Sequence, residues 1–89
     1  MNQWQELMHI IANINDTQFL TQFFDEILTP TEKNNLHLRW KLLKALHQKK
    51  TQREIATNFK ISLCKITRGS KILKTPQSAV KTILDKNFS

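Results

Sequence analysis

The chain has 89 residues, a mean hydropathy of −0.45 and a formal net charge of +7 at pH 7. This length predicts one domain over residues 1–89, and no apolar run is long enough to span a bilayer. Its N-terminus lacks the pattern of a signal peptide, and the single cysteine, Cys64, excludes an intrachain disulfide and a multi-cysteine zinc site. We therefore expect a cytoplasmic protein.

The charge is divided unevenly along the chain. Residues 1–30 contain no Lys or Arg and carry a net charge of −4, whereas residues 31–89 hold all 14 basic residues and carry +11. A basic surface attracts nucleic acid through counterion release, but it also suits anionic lipid or simple solvation. Charge alone therefore leaves these three alternatives open.

Two amphipathic helices are predicted before residue 30. Apolar residues at helical spacing indicate the first helix over residues 3–14, and Asn15 and Asp16 then supply a break and a new cap. A second apolar pattern continues through residue 28. The apolar positions are Trp4, Leu7, Met8, Ile11 and Ile14, followed by Phe19, Leu20, Phe23, Phe24 and Ile27. We expect these aromatic residues to form core rather than a cofactor site.

A third helix is predicted from residue 30 to about 48, because Thr29, Pro30 and Glu32 supply a cap, a first-turn proline and a capping-box carboxylate. It carries two apolar stripes on nearly opposite sides, which predicts burial of both faces and an interlocked dimer. The stripes are Leu36, Trp40, Leu43 and His47, and Leu38, Leu42 and Ala45.

Arg39 interrupts the apolar pattern of this helix. Its charge could pair with Glu32 or Asp25, or its side chain could extend to the surface. The alternative is a ligand pocket, in which the guanidinium stacks on an aromatic ring or pairs with a carboxylate.

Residues 51–70 read as two short helices joined by a tight turn. Thr51 and Glu54 form a capping box that starts a helix at Gln52, and Ser62 can cap a second helix that continues to Lys74. Ile55 and Phe59 mark the buried face of the first helix, while Ala56 permits a close crossing. Ile61 and Ile66 anchor the second helix.

The spacing of Gln52, Ala56, Ile61 and Ile66 resembles a helix-turn-helix unit, whose second helix enters the DNA major groove. The turn position usually given to glycine is Lys60, which departs from that pattern. An ordinary helical hairpin is the alternative, and the basic charge favours DNA.

The end of the chain completes the helical pattern. Gly69, the only glycine, lies inside the second helix of the pair and indicates close approach of a crossing helix or a flat ligand. Thr75 and Pro76 predict the start of a final packing helix. An enzyme is not expected, because His9, His37 and His47 lack metal-ligand spacing and no phosphate loop is present. We expect no metal.

Four segments together resemble the tryptophan-responsive trp repressor family: LTP at 28–30, Arg39, QRE at 52–54 and ITRGS at 66–70. The resemblance covers roughly residues 17–87. It implies an all-α, six-helix, intertwined homodimer that binds a palindromic operator in double-stranded DNA when L-tryptophan is bound. It also implies a bacterial protein associated with the nucleoid, and no membrane partner.

The resemblance also implies a tryptophan site. Arg39 and Arg68 would sandwich the indole, Thr29 and Arg68 would hold the carboxylate, and Gly69 would allow the ring to approach. Backbone carbonyls near Glu26 and Leu28 would accept hydrogen bonds from the ammonium. Ile72 stands where familiar members have a serine that binds the ammonium.

The DNA contacts implied by the resemblance lie on the two-helix unit. Arg53 would reach a guanine, Leu63, Cys64 and Thr67 would face base edges, and Lys65 would lie near phosphate or ligand. Gln52 and Ala56 complete the set. Segment 59–62, FKIS, stands where familiar members have a glycine-rich turn. The connection over residues 47–51 is one residue shorter than theirs.

This organisation predicts a dimerisation core, residues 1–48 and 76–89, and a DNA-reading head, residues 51–74. Two further interpretations stay open. One is a helix-turn-helix regulator with a changed or lost ligand. The other is a basic helical module that binds a protein or an anionic membrane.

Overall fold

The computed structural model describes residues 1–88, and these residues form six α-helices without a strand. The helices are α1 (Gln3–Ala12), α2 (Thr17–Ile27), α3 (Pro30–His47), α4 (Gln52–Phe59), α5 (Leu63–Lys74) and α6 (Ala79–Phe88). The predicted all-α fold with about six short helices is confirmed. None of the helices in this part of the chain has both the length and the apolar character of a membrane span.

The chain divides into two compact units, one from Met1 to Asn35 and one that begins at Leu36. Helix α3 contributes to both units. The first unit contains α1, α2 and the first turns of α3. The second contains the remainder of α3 with α4, α5 and α6.

The helix starts in the first unit follow local capping chemistry. The Asn2 side chain accepts a hydrogen bond from the Gln5 N–H at 2.7 Å, and Asp16 accepts one from the Gln18 N–H at 3.0 Å. The predicted ends were slightly too late. Helix α1 ends two residues before residue 14, because the Asn13 side-chain amide caps the His9 carbonyl at 2.8 Å. Helix α2 ends at Ile27 rather than residue 28.

The first unit has no buried residue in residues 1–35. Phe23 and Phe24 meet edge to face with their ring centroids 5.6 Å apart, but Trp4 is 67% exposed and Phe19 is 57% exposed. The expectation that all of these aromatics form core is wrong for the single chain. Two short helices do not supply enough surface to cover two apolar stripes.

The second unit contains a continuous apolar core. Its buried members are Leu42 and Ala45 from α3, Ile55 from α4, Ile61 from the turn and Ile66 from α5. Partly buried residues pack around them: Leu38, Leu46, Ala56 and Phe59. The stripe of Leu38, Leu42 and Ala45 is therefore a packing face, as predicted.

The other stripe of α3 is less covered. Leu36 remains 53% exposed and Trp40 38% exposed. Helix α6 covers part of this side, since the Trp40 and Phe88 rings lie 6.3 Å apart and the Lys44 ammonium lies 4.4 Å from the Phe88 centroid. Leu84 of α6 is fully buried.

Gly69 is explained by helix packing. It is buried in α5, and a Cβ at this position would lie 3.1 Å from Leu46 Cδ1 and 3.4 Å from Leu42 Cδ2. A distance of 3.1 Å is closer than ordinary carbon contacts. The prediction of a close crossing helix is therefore confirmed, with α3 as the neighbour.

The predicted start of α6 at Thr75 and Pro76 was wrong. Thr75 ends α5 instead, because its hydroxyl donates to the Lys71 carbonyl at 2.9 Å. Gln77 then adopts a positive φ of 59°, and the Ser78 hydroxyl caps α6 by accepting the Lys81 N–H at 3.2 Å. The cap-plus-proline pattern belonged to a helix end rather than a helix start.

Two lysines end helices in the left-handed region. Lys49 has a φ of 63°, and the N–H groups of Lys49 and Lys50 close the end of α3 by donating to the carbonyls of Leu46 and Ala45. Lys60 ends α4 with φ 54° and ψ 45°. This conformation brings the Cβ of an L-residue close to the next carbonyl oxygen, a contact that glycine avoids.

We expect Lys60→Gly to stabilise the fold by about 0.5 to 1 kcal/mol, because it removes the Cβ from a left-handed position. Chemical denaturation at a fixed protein concentration measures the change. Lys60→Ala is the matched control, since it removes the charge but keeps the Cβ. Equal gains in both variants would assign the effect to charge and contradict the backbone explanation.

Asp85 joins α6 to α3. Its carboxylate lies 2.8 Å from the Lys81 ammonium and 2.8 Å from His47 Nε2. The hydrogen bond from Lys81, with a further one from His47, holds the pKa of Asp85 below its ordinary value. A carboxyl with a lowered pKa stabilises the fold when ionised, and this contribution disappears as the pH falls through the folded-state pKa.

The free energy of unfolding should therefore fall less for Asp85→Asn than for the wild type between about pH 6 and pH 2. The difference between the two proteins should be largest above about pH 5 and should shrink below about pH 4. Urea denaturation across this range measures it. A difference that stays constant with pH would show that the Asp85 charge does not contribute.

Candidate nucleic-acid interface and ligand residues

Helices α4 and α5 form a compact pair because both starts are capped and the turn between them is buried. The Thr51 hydroxyl accepts the Glu54 N–H at 3.1 Å, and the Ser62 hydroxyl accepts the Lys65 N–H at 3.4 Å. Ile61, in the three-residue turn, is only 7% exposed. The buried side chains of the pair fix which faces of α4 and α5 point outward.

The outward faces contain most of the residues predicted to contact DNA. Ala56 differs, because it is partly buried and packs on the apolar core. Leu63 is 61% exposed although it is apolar, so it is available for contact with another molecule. The exposed members of the predicted set are Gln52 and Arg53 on α4 and Leu63, Cys64, Lys65 and Thr67 on α5.

The segment from residue 49 to residue 74 is strongly basic. It holds eight Lys or Arg residues and one acidic residue, Glu54, whose carboxylate accepts the Thr51 hydroxyl at 3.2 Å. The ion pairs found in residues 1–88 involve Lys33, His47 and Lys81, and none of these eight. The eight are Lys49, Lys50, Arg53, Lys60, Lys65, Arg68, Lys71 and Lys74. No ion pair within residues 1–88 neutralises their charge.

Two other lysines serve the fold instead. The Lys41 ammonium lies 4.8 Å from the Phe59 ring centroid and joins α3 to α4, while Lys44 lies over Phe88 of α6. Neither contact is predicted by the sequence pattern. The partners lie far apart along the chain, and no local spacing pattern connects them.

Three of the predicted ligand residues lie in the first unit. The Thr29 hydroxyl accepts the Glu32 N–H at 3.2 Å, and the Glu32 carboxylate accepts the Thr29 N–H at 2.9 Å. Hydrogen bonds that the Glu32 carboxylate accepts from the backbone and the side chain of Thr29 hold the pKa of Glu32 below its ordinary value. Leu28 caps α2, and the Glu26 carboxylate accepts the Gln22 side-chain amide at 3.0 Å. The predicted capping box is confirmed.

The other predicted ligand residues lie in the second unit. Arg39 on α3 and Arg68 on α5 are exposed, whereas Gly69 is buried and Ile72 is partly buried. Of the alternatives for Arg39, extension of the side chain to the surface agrees with its exposure, and the ion pairs of residues 1–88 do not include Arg39. Asp25 instead lies 2.6 Å from the Lys33 ammonium.

No group of His, Cys, Asp and Glu in the described part of the chain could hold a metal ion. The described residues combine an all-α fold, two short capped helices joined by a tight turn, and an exposed basic surface around these two helices. These features define the helix-turn-helix class of proteins.

Comparison with known proteins identifies the family within this class. The family described as Trp repressor protein matches residues 2–88, so the chain belongs to the Trp repressor family. The resemblance found in the sequence is thereby confirmed. This is a regulatory DNA-binding family rather than a family of enzymes.

Three relatives illustrate the similarity, each described as a Trp operon repressor homolog. Those of Chlamydia trachomatis serovar D and Chlamydia caviae are 32% and 33% identical, over 96% and 99% of this chain and 92% and 87% of their own lengths. The Vibrio campbellii protein is 30% identical over 93% of this chain and 88% of its own length. No solved structure matches the chain.

Proposed function

We propose that the protein is a sequence-specific transcriptional repressor that binds a palindromic operator as a homodimer, with L-tryptophan as co-repressor. Family membership and the names of the relatives support a repressor-like regulator. The observation that carries the proposal is the α4–α5 pair, whose outward face is basic and free of internal ion pairs. A repressor of this kind acts on the nucleoid in the bacterial cytoplasm.

The proposed DNA contacts use the exposed residues of this pair. Arg53 on α4 can donate two hydrogen bonds to a guanine, and Thr67 on α5 can bond a base edge. Leu63 and Cys64 are exposed in the first turn of α5 and can contact a thymine methyl. Lys65 supplies a flexible point charge that suits a phosphate. Gln52 completes the proposed interface, and Ala56 is left out of it because Ala56 packs on the apolar core.

The proposed homodimer follows from the uncovered apolar surface. Residues 1–35 have no buried side chain, and the Leu36 and Trp40 stripe of α3 stays partly exposed. A second copy that covers these faces would remove apolar area from water, which is the main driving force for association. We propose that residues 1–48 and 76–89 form the dimerisation core and that residues 51–74 form the DNA-reading head.

The proposed tryptophan site uses residues from several helices. Arg39 and Arg68 have exposed guanidinium groups that can stack on an indole, and Arg68 can also pair with a carboxylate. Thr29 would share that carboxylate, and carbonyls near Glu26 and Leu28 would accept bonds from the ammonium. Gly69 is left out of the proposed site, because Leu42 and Leu46 of α3 pack where its Cβ would lie. Ile72 has no polar atom to contribute, which favours weaker discrimination for the amino group.

We expect the protein to be a dimer at micromolar concentration, because the single chain leaves its N-terminal apolar stripes uncovered. Light scattering should give about twice the chain mass of 10.5 kDa. Trp4→Gln, which removes a 67% exposed apolar side chain, should weaken association, whereas Gln3→Ala on the same helix should not. A folded monomer of the wild type would contradict the proposed dimer.

We expect L-tryptophan to tighten binding of operator DNA by about 5- to 150-fold, the range typical of coupled sites. The operator is first selected from random duplexes, and affinity is then titrated with and without tryptophan. Calorimetry should show one tryptophan site per protomer, and Arg68→Ala should abolish it. Lys86→Gln on α6 is the charge-matched control and should leave it unchanged.

Different outcomes of this titration distinguish the alternatives. Specific DNA binding that tryptophan does not change would overturn the co-repressor assignment and leave a helix-turn-helix regulator with another ligand or none. Equal affinity for the selected operator and random duplex would instead indicate a non-specific basic module.

We expect Arg53→Ala to weaken operator binding by roughly 1 to 3 kcal/mol and to relax preference at one base position. Lys65→Ala should weaken binding evenly across sequences, because a phosphate contact contains no base information. Competition binding against single-base operator variants measures both effects. If both variants lost affinity evenly, the base-reading role of Arg53 would be wrong.

A further inference from the structure

We propose that Lys49 and Lys60 are a pair of phosphate-binding residues that position α4 and α5 on DNA. This inference rests on the proposed DNA-binding function and adds two residues to it. Its basis is a conformational anomaly at two positions that both precede a helix of the DNA-reading pair.

The anomaly is that lysine, rather than glycine, occupies two positions whose backbone is left-handed. Three non-glycine residues in the described part of the chain have positive φ, namely Lys49, Lys60 and Gln77. The single glycine, Gly69, lies inside α5 and does not use a positive φ. The chain therefore places lysine at two helix ends where glycine would be less strained.

The left-handed backbone lets the Lys49 N–H close α3, but no side-chain contact within residues 1–88 explains why lysine rather than glycine stands at either position. Both lysines are exposed, and neither ammonium takes part in an ion pair, a hydrogen bond or a ring contact in that part of the chain. Lys41 and Lys44, by contrast, lie over phenyl rings. A residue in a strained conformation whose side chain the fold does not use is a candidate for a ligand contact.

The positions of the two lysines suit the DNA backbone. Each lies two residues before a capping residue, Thr51 of α4 or Ser62 of α5, so the pair flanks α4 at both ends. Helix α4 has eight residues and is therefore about 12 Å long, similar to the width of the major groove. Lysines at its two ends can therefore reach the phosphates that border the groove.

The chemistry of lysine favours phosphate over a base edge. Its ammonium is a compact charge on a flexible stem, whereas base recognition uses planar, bidentate groups such as Arg53. The two lysines would set the register of the helices on the duplex, and the bases would be read by other residues.

The test compares Lys49→Gly and Lys60→Gly with the wild type on a random-sequence duplex of about 30 base pairs, three helical turns. Titrations between 50 and 200 mM salt should show a shallower salt dependence for each variant. Each lost phosphate contact should reduce the affinity change over this range by about 3- to 4-fold. Melting temperature should rise in the same variants, so stability and affinity should change in opposite directions.

Two controls make the comparison specific. Lys49→Arg and Lys60→Arg keep the charge and the strained backbone, and should keep the wild-type salt dependence. Lys86→Gln removes an exposed charge from α6, outside the proposed contact, and should have little effect.

Each outcome decides the inference. Steep salt dependence in the wild type with no change in either glycine variant would overturn the phosphate contacts and leave the proposed function intact. Equal losses in the glycine variants and Lys86→Gln would also overturn them, because net charge would then explain the effect. A wild-type protein that binds neither random duplex nor any selected operator would overturn the proposed function and the inference together.

Discussion

The apolar contact that buries Ile55, Ile61 and Ile66 with α3 is the constraint on which the DNA-reading pair depends. These three side chains are almost completely removed from water, and α3 contributes Leu42 and Ala45 to the same core. Because α4 is short, capping and propensity alone would not hold it in place. Burial of one face also decides which residues of α4 and α5 remain outside.

Lysine has two physical roles in this chain. Lys41, Lys44 and Lys81 make internal contacts with a phenyl ring or a carboxylate, and these contacts join or brace helices in the second unit. The basic residues between 49 and 74 make no such ion pairs within residues 1–88. A basic surface left uncompensated is electrostatically costly for the fold but suits a polyanionic partner. The Trp repressor family to which the chain belongs is consistent with such a partner.

In the first unit, the apolar faces of the helices are not covered by the chain itself. Helices α1 and α2 are well capped and amphipathic, yet neither contains a buried residue. Hydrogen bonds satisfy the backbone groups at the helix ends, whereas the apolar faces of the two helices are not buried. The proposed second copy would cover these apolar faces. Dimer formation and the folding of this region would then be one process.

The sequence by itself determined the elements whose signals are local. Thr29, Thr51 and Ser62 correctly marked the starts of α3, α4 and α5, since a capping hydroxyl binds a backbone N–H only three residues away. The family motifs were likewise continuous segments. The start of α6 was missed because Thr75 satisfies a carbonyl of the preceding helix, and a residue at a helix boundary can serve either side.

Only the tertiary structure decided how distant residues are used. His47 and Asp85 are 38 positions apart, and no periodicity connects them, yet they lie 2.8 Å from each other across two helices. Gly69 could have faced a ligand or a helix until the contacts with Leu46 and Leu42 explained its lack of a side chain. Periodicity identified apolar faces correctly, but burial depends on the area that neighbouring elements can cover. The face of α3 that carries Leu42 and Ala45 and the face of α5 that carries Ile66 are buried within one chain, and the apolar faces of α1 and α2 are not.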